Sequence, residues 1–367
     1  MFIYLVTFVL SIICYKLGIQ EKNKYICFFF LTLAALCPAA LAGLRDYSVS
    51  ADFGAYGILA WDSALESRNF HSYISDSHNS VMSLEIFYLF FNFLISRFFN
   101  DFHMFFFFHQ LLLVGIVTFV AYKCKNLNNS EFILIFYFFS FFNESFSWLR
   151  QAFALIFCLT FFYYLVEKNY KVSLLGGALS YLSHNSALFS FFLYILNEVA
   201  RKHNRNYFTF VLLLVIVFVI CFFYFNTILN YLISSGLYSD HYSMYVGQKG
   251  FKTHKIEILF LASILFSLFY FIKESNRNRY FFSFAVFNVL ISILFNLFGG
   301  LIEIAVRIAL YYEITLPILL LQCSKSQEEN CKLLTISFVS LFFRWMYLSC
   351  TSDYGNTIPY SSELLGI

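Results

Sequence analysis

The sequence is poor in charge and nearly free of proline. Only 12% of its 367 residues are Asp, Glu, Lys or Arg, and there are three prolines. An ordinary soluble domain is about one-quarter charged. A chain this uncharged cannot cover itself with a solvated shell, which excludes most soluble-enzyme architectures. The formal net charge of +3 comes without a basic domain, so nucleic acid is not an expected partner. No CxxC pair occurs among the nine cysteines, most of which lie in apolar runs. They are expected as core or lipid-facing thiols rather than metal ligands or a disulfide framework. No Walker loop, nucleophile elbow, HExxH or Gly-rich dinucleotide fingerprint is present. ATP-driven transport, zinc proteolysis and hydride transfer therefore find no support, and neither a cofactor nor a metal is expected.

What is abundant is apolar: 60% of the chain, with 53 Phe and 27 Tyr. A helix needs about 20 such residues to cross a bilayer. Twelve candidate stretches follow one another: 2–19, 26–44, 84–99, 104–122, 131–147, 150–166, 172–197, 207–232, 256–272, 280–298, 302–322 and 333–349. The first lacks the basic flank of a cleaved signal peptide and is expected to be retained. The expectation is a single membrane-embedded domain spanning 1–367, all-α and polytopic, with 10–13 crossings. If the Lys-rich short loops face the cytoplasm, 15 of the 24 Lys and Arg lie inside. The outer face then holds 45–80 and 233–255 as its main loops. Two parity problems follow. The short stretch 84–99 is not expected to span. Stretch 172–197 begins and ends on one side, so it should break at Ser183-His184-Asn185, as backbone at membrane depth does only beside protein or a watery cavity.

The outward polar residues are the informative ones, because charge at a membrane face against the positive-inside trend is costly. In GLRDYSVSADFGAY (43–56), Arg45 follows an apolar helix, and Asp52 and Tyr56 are four apart, hence on one face if helical. In SFSWLRQAFALIF (145–157), Arg150 and Gln151 open an apolar helix beside Trp148. In LSYLSHNSALF (179–189), His184 sits in an apolar context. In GGLIEIAVRIALYY (299–312), Glu303 and Arg307 are an i,i+4 pair. Each has a plain structural reading: interfacial anchor, packing histidine or internal ion pair. Together they place Arg, His and carboxylates on one membrane face, which suits an anionic substrate, since the planar Arg fork grips phosphate well. Asp240, His241, Lys249, Lys252, His254 and Lys255 crowd the loop between 233 and 255, which reads as a lid, an acceptor-binding element or a solvated connector.

These segments resemble the EpsG-type proteins, a branch of the Wzy-type O-antigen and exopolysaccharide polymerases. GLRDYSVSADFGAY is similar to their GxR…D…Y signature after the second helix, with Ala51 in place of the usual Gly before the Asp. The stretch from Arg150 through His184-Asn185-Ser186-Ala187 is similar to their RQ…A…K…H.SA block, and Arg307 stands where they carry a late Arg. The resemblance covers roughly 40–325.

The resemblance implies a GT-C-like, metal-independent, inverting glycosyltransferase of the bacterial cytoplasmic membrane. It would join undecaprenyl-pyrophosphate-linked oligosaccharides at the periplasmic or outer face, within the lipid bilayer and alongside a flippase and a chain-length regulator. On that reading Arg45, Arg150 and Arg307 clamp the pyrophosphate leaving group. His184 and Asp52 are both candidates for the base, and Tyr56, Gln151 and Glu303 bind sugar or phosphate. The alternatives are a flippase of the same lipid-linked sugar, an O-antigen ligase and, more distantly, an O-acyltransferase.

Overall fold

A computed structural model describes residues 1–80, 84–195, 197, 255–299, 303–351 and 357–366, with a few single positions between 216 and 234. The expected crossing 207–232 and loop 233–255 lie almost entirely outside the described residues. All regular structure among the described residues is helical, as the composition requires. The α-helices are α1 (Phe2–Gln20), α2 (Lys24–Gly43), α3 (Ile58–Glu66), α4 (Phe70–Ser80), α5 (Ile86–Ser96), α6 (Phe102–Lys123), α7 (Phe132–Tyr137), α8 (Leu149–Val166) and α9 (Tyr170–Ser183). They continue with α10 (Lys255–Phe271), α11 (Arg279–Phe298), α12 (Glu303–Glu313), α13 (Leu316–Leu320) and α14 (Gln327–Thr351). Six of these, α1, α2, α6, α8, α11 and α14, are long and apolar enough to cross a bilayer. The chain is a multi-pass all-α membrane protein.

Four of the apolar stretches do not form a single long α-helix. Stretch 84–99 forms only the 11-residue α5. At about 1.5 Å per residue this helix is roughly 16 Å long, about half the hydrocarbon thickness. Stretch 172–197 breaks where expected: α9 stops at Ser183, His184 is extended (φ −162°, ψ 128°), and a 3-10 segment Asn185–Phe191 follows. Stretch 131–147 is not one α-helix. It runs through α7, a π-helical turn Phe138–Phe142 and a 3-10 turn Glu144–Phe146. Stretch 302–322 is divided into α12 and α13, with Pro317 at the start of α13, where its missing N–H costs no helical bond.

The described chain divides into two compact units, 1–188 with 337–367, and 189–336. In the first, α1 and α2 pack as a hairpin, and Pro38 inside α2 leaves the Ala34 carbonyl without its intrahelical donor. The Ser11 hydroxyl of α1 donates to that carbonyl at 2.5 Å, a satisfaction that a bilayer cannot supply. Helices α8 and α9 approach closely through small residues. Ser173 and Ser180 donate to the Phe161 and Ala154 carbonyls at 2.9 and 2.6 Å, the packing mode expected where lipid is as apolar as the helices. Aromatic rings fill the rest: Phe8 stacks on Phe138 at 4.7 Å and meets Phe142 edge-on at 5.1 Å. The buried Trp345 of α14 donates to Asn143 at 3.0 Å.

The tail 357–363 is stitched onto this unit. Tyr4 donates to the Thr357 carbonyl at 2.6 Å, Tyr360 to the Leu41 carbonyl at 2.8 Å, and Ser362 to the Leu44 carbonyl. The second unit buries polar pairs between its helices: Asn288 donates to Thr315 at 2.7 Å and Asn296 to Glu313 at 3.0 Å.

Candidate functional site

The site of the first unit grows from the segment after α2. Ser50 donates to the Phe146 carbonyl at 2.6 Å and the Ala51 N–H to Ser147 at 3.3 Å, which ties residues 50–51 to the turn before α8. Arg45 is the deepest part of this seam, only 1% exposed. Its guanidinium lies between the Phe106 and Phe146 rings, 3.7 and 4.0 Å from their centroids, and donates to the Phe146 carbonyl at 3.3 Å. Burial pulls the Arg45 pKa down to about 9, with Tyr4 and Tyr360 opposing, which still leaves a cation at neutral pH.

Beyond the seam the backbone widens into a π-helical turn over Phe53–Gly57. Tyr56 comes round onto Asp52 and its hydroxyl donates to the Asp52 carboxylate. Burial is the main cause that raises the Tyr56 pKa, reinforced by the neighbouring Asp52 charge, so the phenol stays protonated and donates. The same carboxylate oxygen accepts the Leu149 N–H at 3.3 Å. Leu149 is the first residue of α8, whose own N-cap, Trp148, makes no side-chain cap. A remote carboxylate thus supplies the acceptor that the exposed N–H groups of a helix start require, at its positive end.

Arg150, one residue further, lies over the Tyr56 ring at 4.6 Å. Its Nη1 pairs with Glu85 Oε2 at 2.6 Å, and its buried Nε has no hydrogen-bond partner. Glu85 stands immediately before α5, and its other oxygen accepts the Asn185 N–H at 3.4 Å. This carboxylate therefore joins the start of α8 to the break after α9. Next to Asn185, His184 Nδ1 accepts the Ser186 N–H at 3.2 Å and lies 2.7 Å from the Ser186 hydroxyl. A backbone N–H only donates, so Nδ1 is unprotonated and neutral His184 carries its proton on Nε2.

Four of the sequence-predicted residues, Asp52, Tyr56, Arg150 and His184, are thus linked through Glu85 and the start of α8. Arg45 sits beside them, behind Phe146. Gln151 is buried on α8. Glu303 and Arg307 belong to α12 of the second unit. Arg307 is half-buried, and the Glu303 side chain lies outside the described ones. Glu85 is not singled out by the sequence; its one signal there is an acidic residue at the head of an apolar stretch too short to span. Nor is Arg344 of α14, whose guanidinium donates to the Phe139 carbonyl at 3.3 Å and pairs with Glu144 at 3.7 Å. Arg97 ends α5 and serves the fold: it donates to the Ser67 carbonyl at 2.9 Å and to that of Ala64, at the last turn of α3.

Fold and site together define a multi-pass helical membrane protein with a largely buried group of Arg, carboxylate, Tyr and His at one end of its helices. The model of the EpsG family matches residues 28–362, and the chain belongs to that family. Membership supports a polysaccharide-polymerase type of function in general. No curated protein and no solved structure matches the chain.

Proposed function

We propose that the protein is a glycosyltransferase that polymerises undecaprenyl-pyrophosphate-linked oligosaccharide repeat units at the outer face of the bacterial cytoplasmic membrane. The observation that carries this reading is the Asp52–Tyr56–Arg150–Glu85 group, held against His184 in a chain of the EpsG family. In the reaction an acceptor hydroxyl attacks the anomeric carbon, the bond to the lipid pyrophosphate breaks, and the hydroxyl proton leaves. Asp52 is assigned as the base. His184 Nδ1 is engaged by the Ser186 N–H and hydroxyl, which leaves it poorly placed for proton abstraction. Tyr56 orients Asp52, and Arg150 offers its unpaired Nε to the leaving group.

Arg45 and Arg150 together only balance Asp52 and Glu85, so this group is neutral overall and well matched to a transition state with both a cationic sugar and an anionic leaving group. Arg45, packed on both faces, supplies positive potential without direct contact. For Arg307 a phosphate-binding role rests on the family signature. The test is Arg150→Lys, which keeps the charge and loses the fork. Polymer made in cells should shorten or disappear, while a full wild-type length distribution at equal protein level overturns the assignment.

A further inference from the structure

Helix α5 carries an unexplained feature on the face that Glu85 opens. Tyr88 and Asn92 lie three and seven residues after Glu85, which at 100° per residue is the same side of the helix. Both are fully buried, at 0% exposure. The Tyr88 hydroxyl lies close to the Asn92 carboxamide one turn on, yet neither it nor the two polar atoms of that carboxamide completes a well-formed hydrogen bond, and neither does Arg150 Nε. Each such group is costly when nothing pairs with it. Native proteins keep few of them, and each needs a reason. They adjoin the site: the Tyr88 ring meets that of Tyr56 edge to face at 5.6 Å, and Tyr56 is the residue that holds Asp52.

We propose that Tyr88 and Asn92 bind a sugar of the repeat unit through its hydroxyl groups. The inference rests on the transferase reading above and assigns the sugar subsite within it. The chemistry of the unpaired atoms selects the ligand. A cation would use only acceptors and a phosphate only donors. Here a phenol that both gives and accepts sits on the same face as an amide N–H donor and an amide carbonyl acceptor, and that mixture matches neighbouring hydroxyls on a sugar ring. Phe91 and Phe105 pack beside these residues, with Tyr88 to Phe105 at 5.8 Å, which provides the apolar wall that sugar C–H faces pack on. Entry of the sugar parts the Tyr56 and Tyr88 rings and turns the unpaired atoms into bound ones. Recognition by buried polar groups discriminates strongly, because a ligand lacking the hydroxyl leaves them unsatisfied.

The test uses the full chain in lipid nanodiscs with lipid-linked repeat units as substrate. Tyr88→Phe removes one oxygen and keeps the ring, so it does not endanger folding; Asn92→Leu replaces an amide by an apolar group of similar size. If the two side chains served packing alone, both variants would be as active as wild type. Sugar binding predicts that kcat/KM for the repeat unit falls at least tenfold in each, mainly through KM, with no fall in melting temperature. Activity within twofold of wild type in both variants, while Asp52→Asn is inactive, overturns this inference alone. Full activity of Asp52→Asn overturns the transferase site itself and this subsite with it.

Discussion

Asp52 does two things with one side chain: it accepts from Tyr56, over whose ring Arg150 lies, and it accepts from the first N–H of α8. The i,i+4 spacing made the Asp52–Tyr56 pair legible in the sequence. The Arg150–Glu85 pair was not, because 65 residues separate the partners and an apolar stretch gives no sign of what its leading carboxylate faces. Glu85→Gln would leave the largely buried Arg150 without its counter-charge. We expect a loss of about 3 kcal/mol, seen as a lower melting temperature in detergent. Arg45→Lys replaces a flat cation held between two rings by a compact one. It should cost about 2 kcal/mol by the same measurement, and an unchanged melting temperature would remove Arg45 from the seam.

Asp46 gives a pH-dependent case. Its carboxylate accepts the Glu363 N–H at 2.8 Å, which together with Ser361 lowers its pKa. A carboxyl whose folded pKa is depressed stabilises above its ordinary value near 4 and loses that contribution as pH falls through the folded value. Amide-exchange protection of Glu363 should therefore be flat from pH 7 to 5, after correction for intrinsic exchange, and fall only in stronger acid. Asp46→Asn should weaken it at neutral pH.

At the scale of elements, interruption matters more than length. The break at His184 and the shortness of α5 were readable from loop charge and stretch length, because orientation constrains how many segments cross. The π and 3-10 turns that end the α7 stretch were not, since Phe-rich sequence fits all three helix types equally well. These irregular turns carry Phe146 and Ser147, to which Arg45, Ser50 and Ala51 attach. Regular packing elsewhere is tight. A Cβ on Gly176 would come within 2.8 Å of the Phe161 backbone nitrogen, so Gly176→Ala must push α9 from α8. A loss of about 1–3 kcal/mol is expected in thermal unfolding, and wild-type stability would mean that the two helices yield there.

For the whole molecule, the apolar 60% identifies where the protein resides, and the charged 12% supplies the key residues of the candidate site. Helical class and membrane residence were legible in composition alone. The gathering of Asp52, Tyr56, Arg150 and His184 required the fold, because they come from three segments between residues 52 and 184. The proposed reaction at this site transfers one lipid-linked oligosaccharide to another without energy from a nucleotide. The most direct measurement is reconstitution of the purified chain in liposomes with undecaprenyl-pyrophosphate-linked repeat units, in the presence of chelator and the absence of nucleotide. A polymerase should yield a ladder of products spaced by one repeat unit, which Asp52→Asn abolishes. Movement of the lipid-linked unit across the bilayer with no covalent product would contradict it.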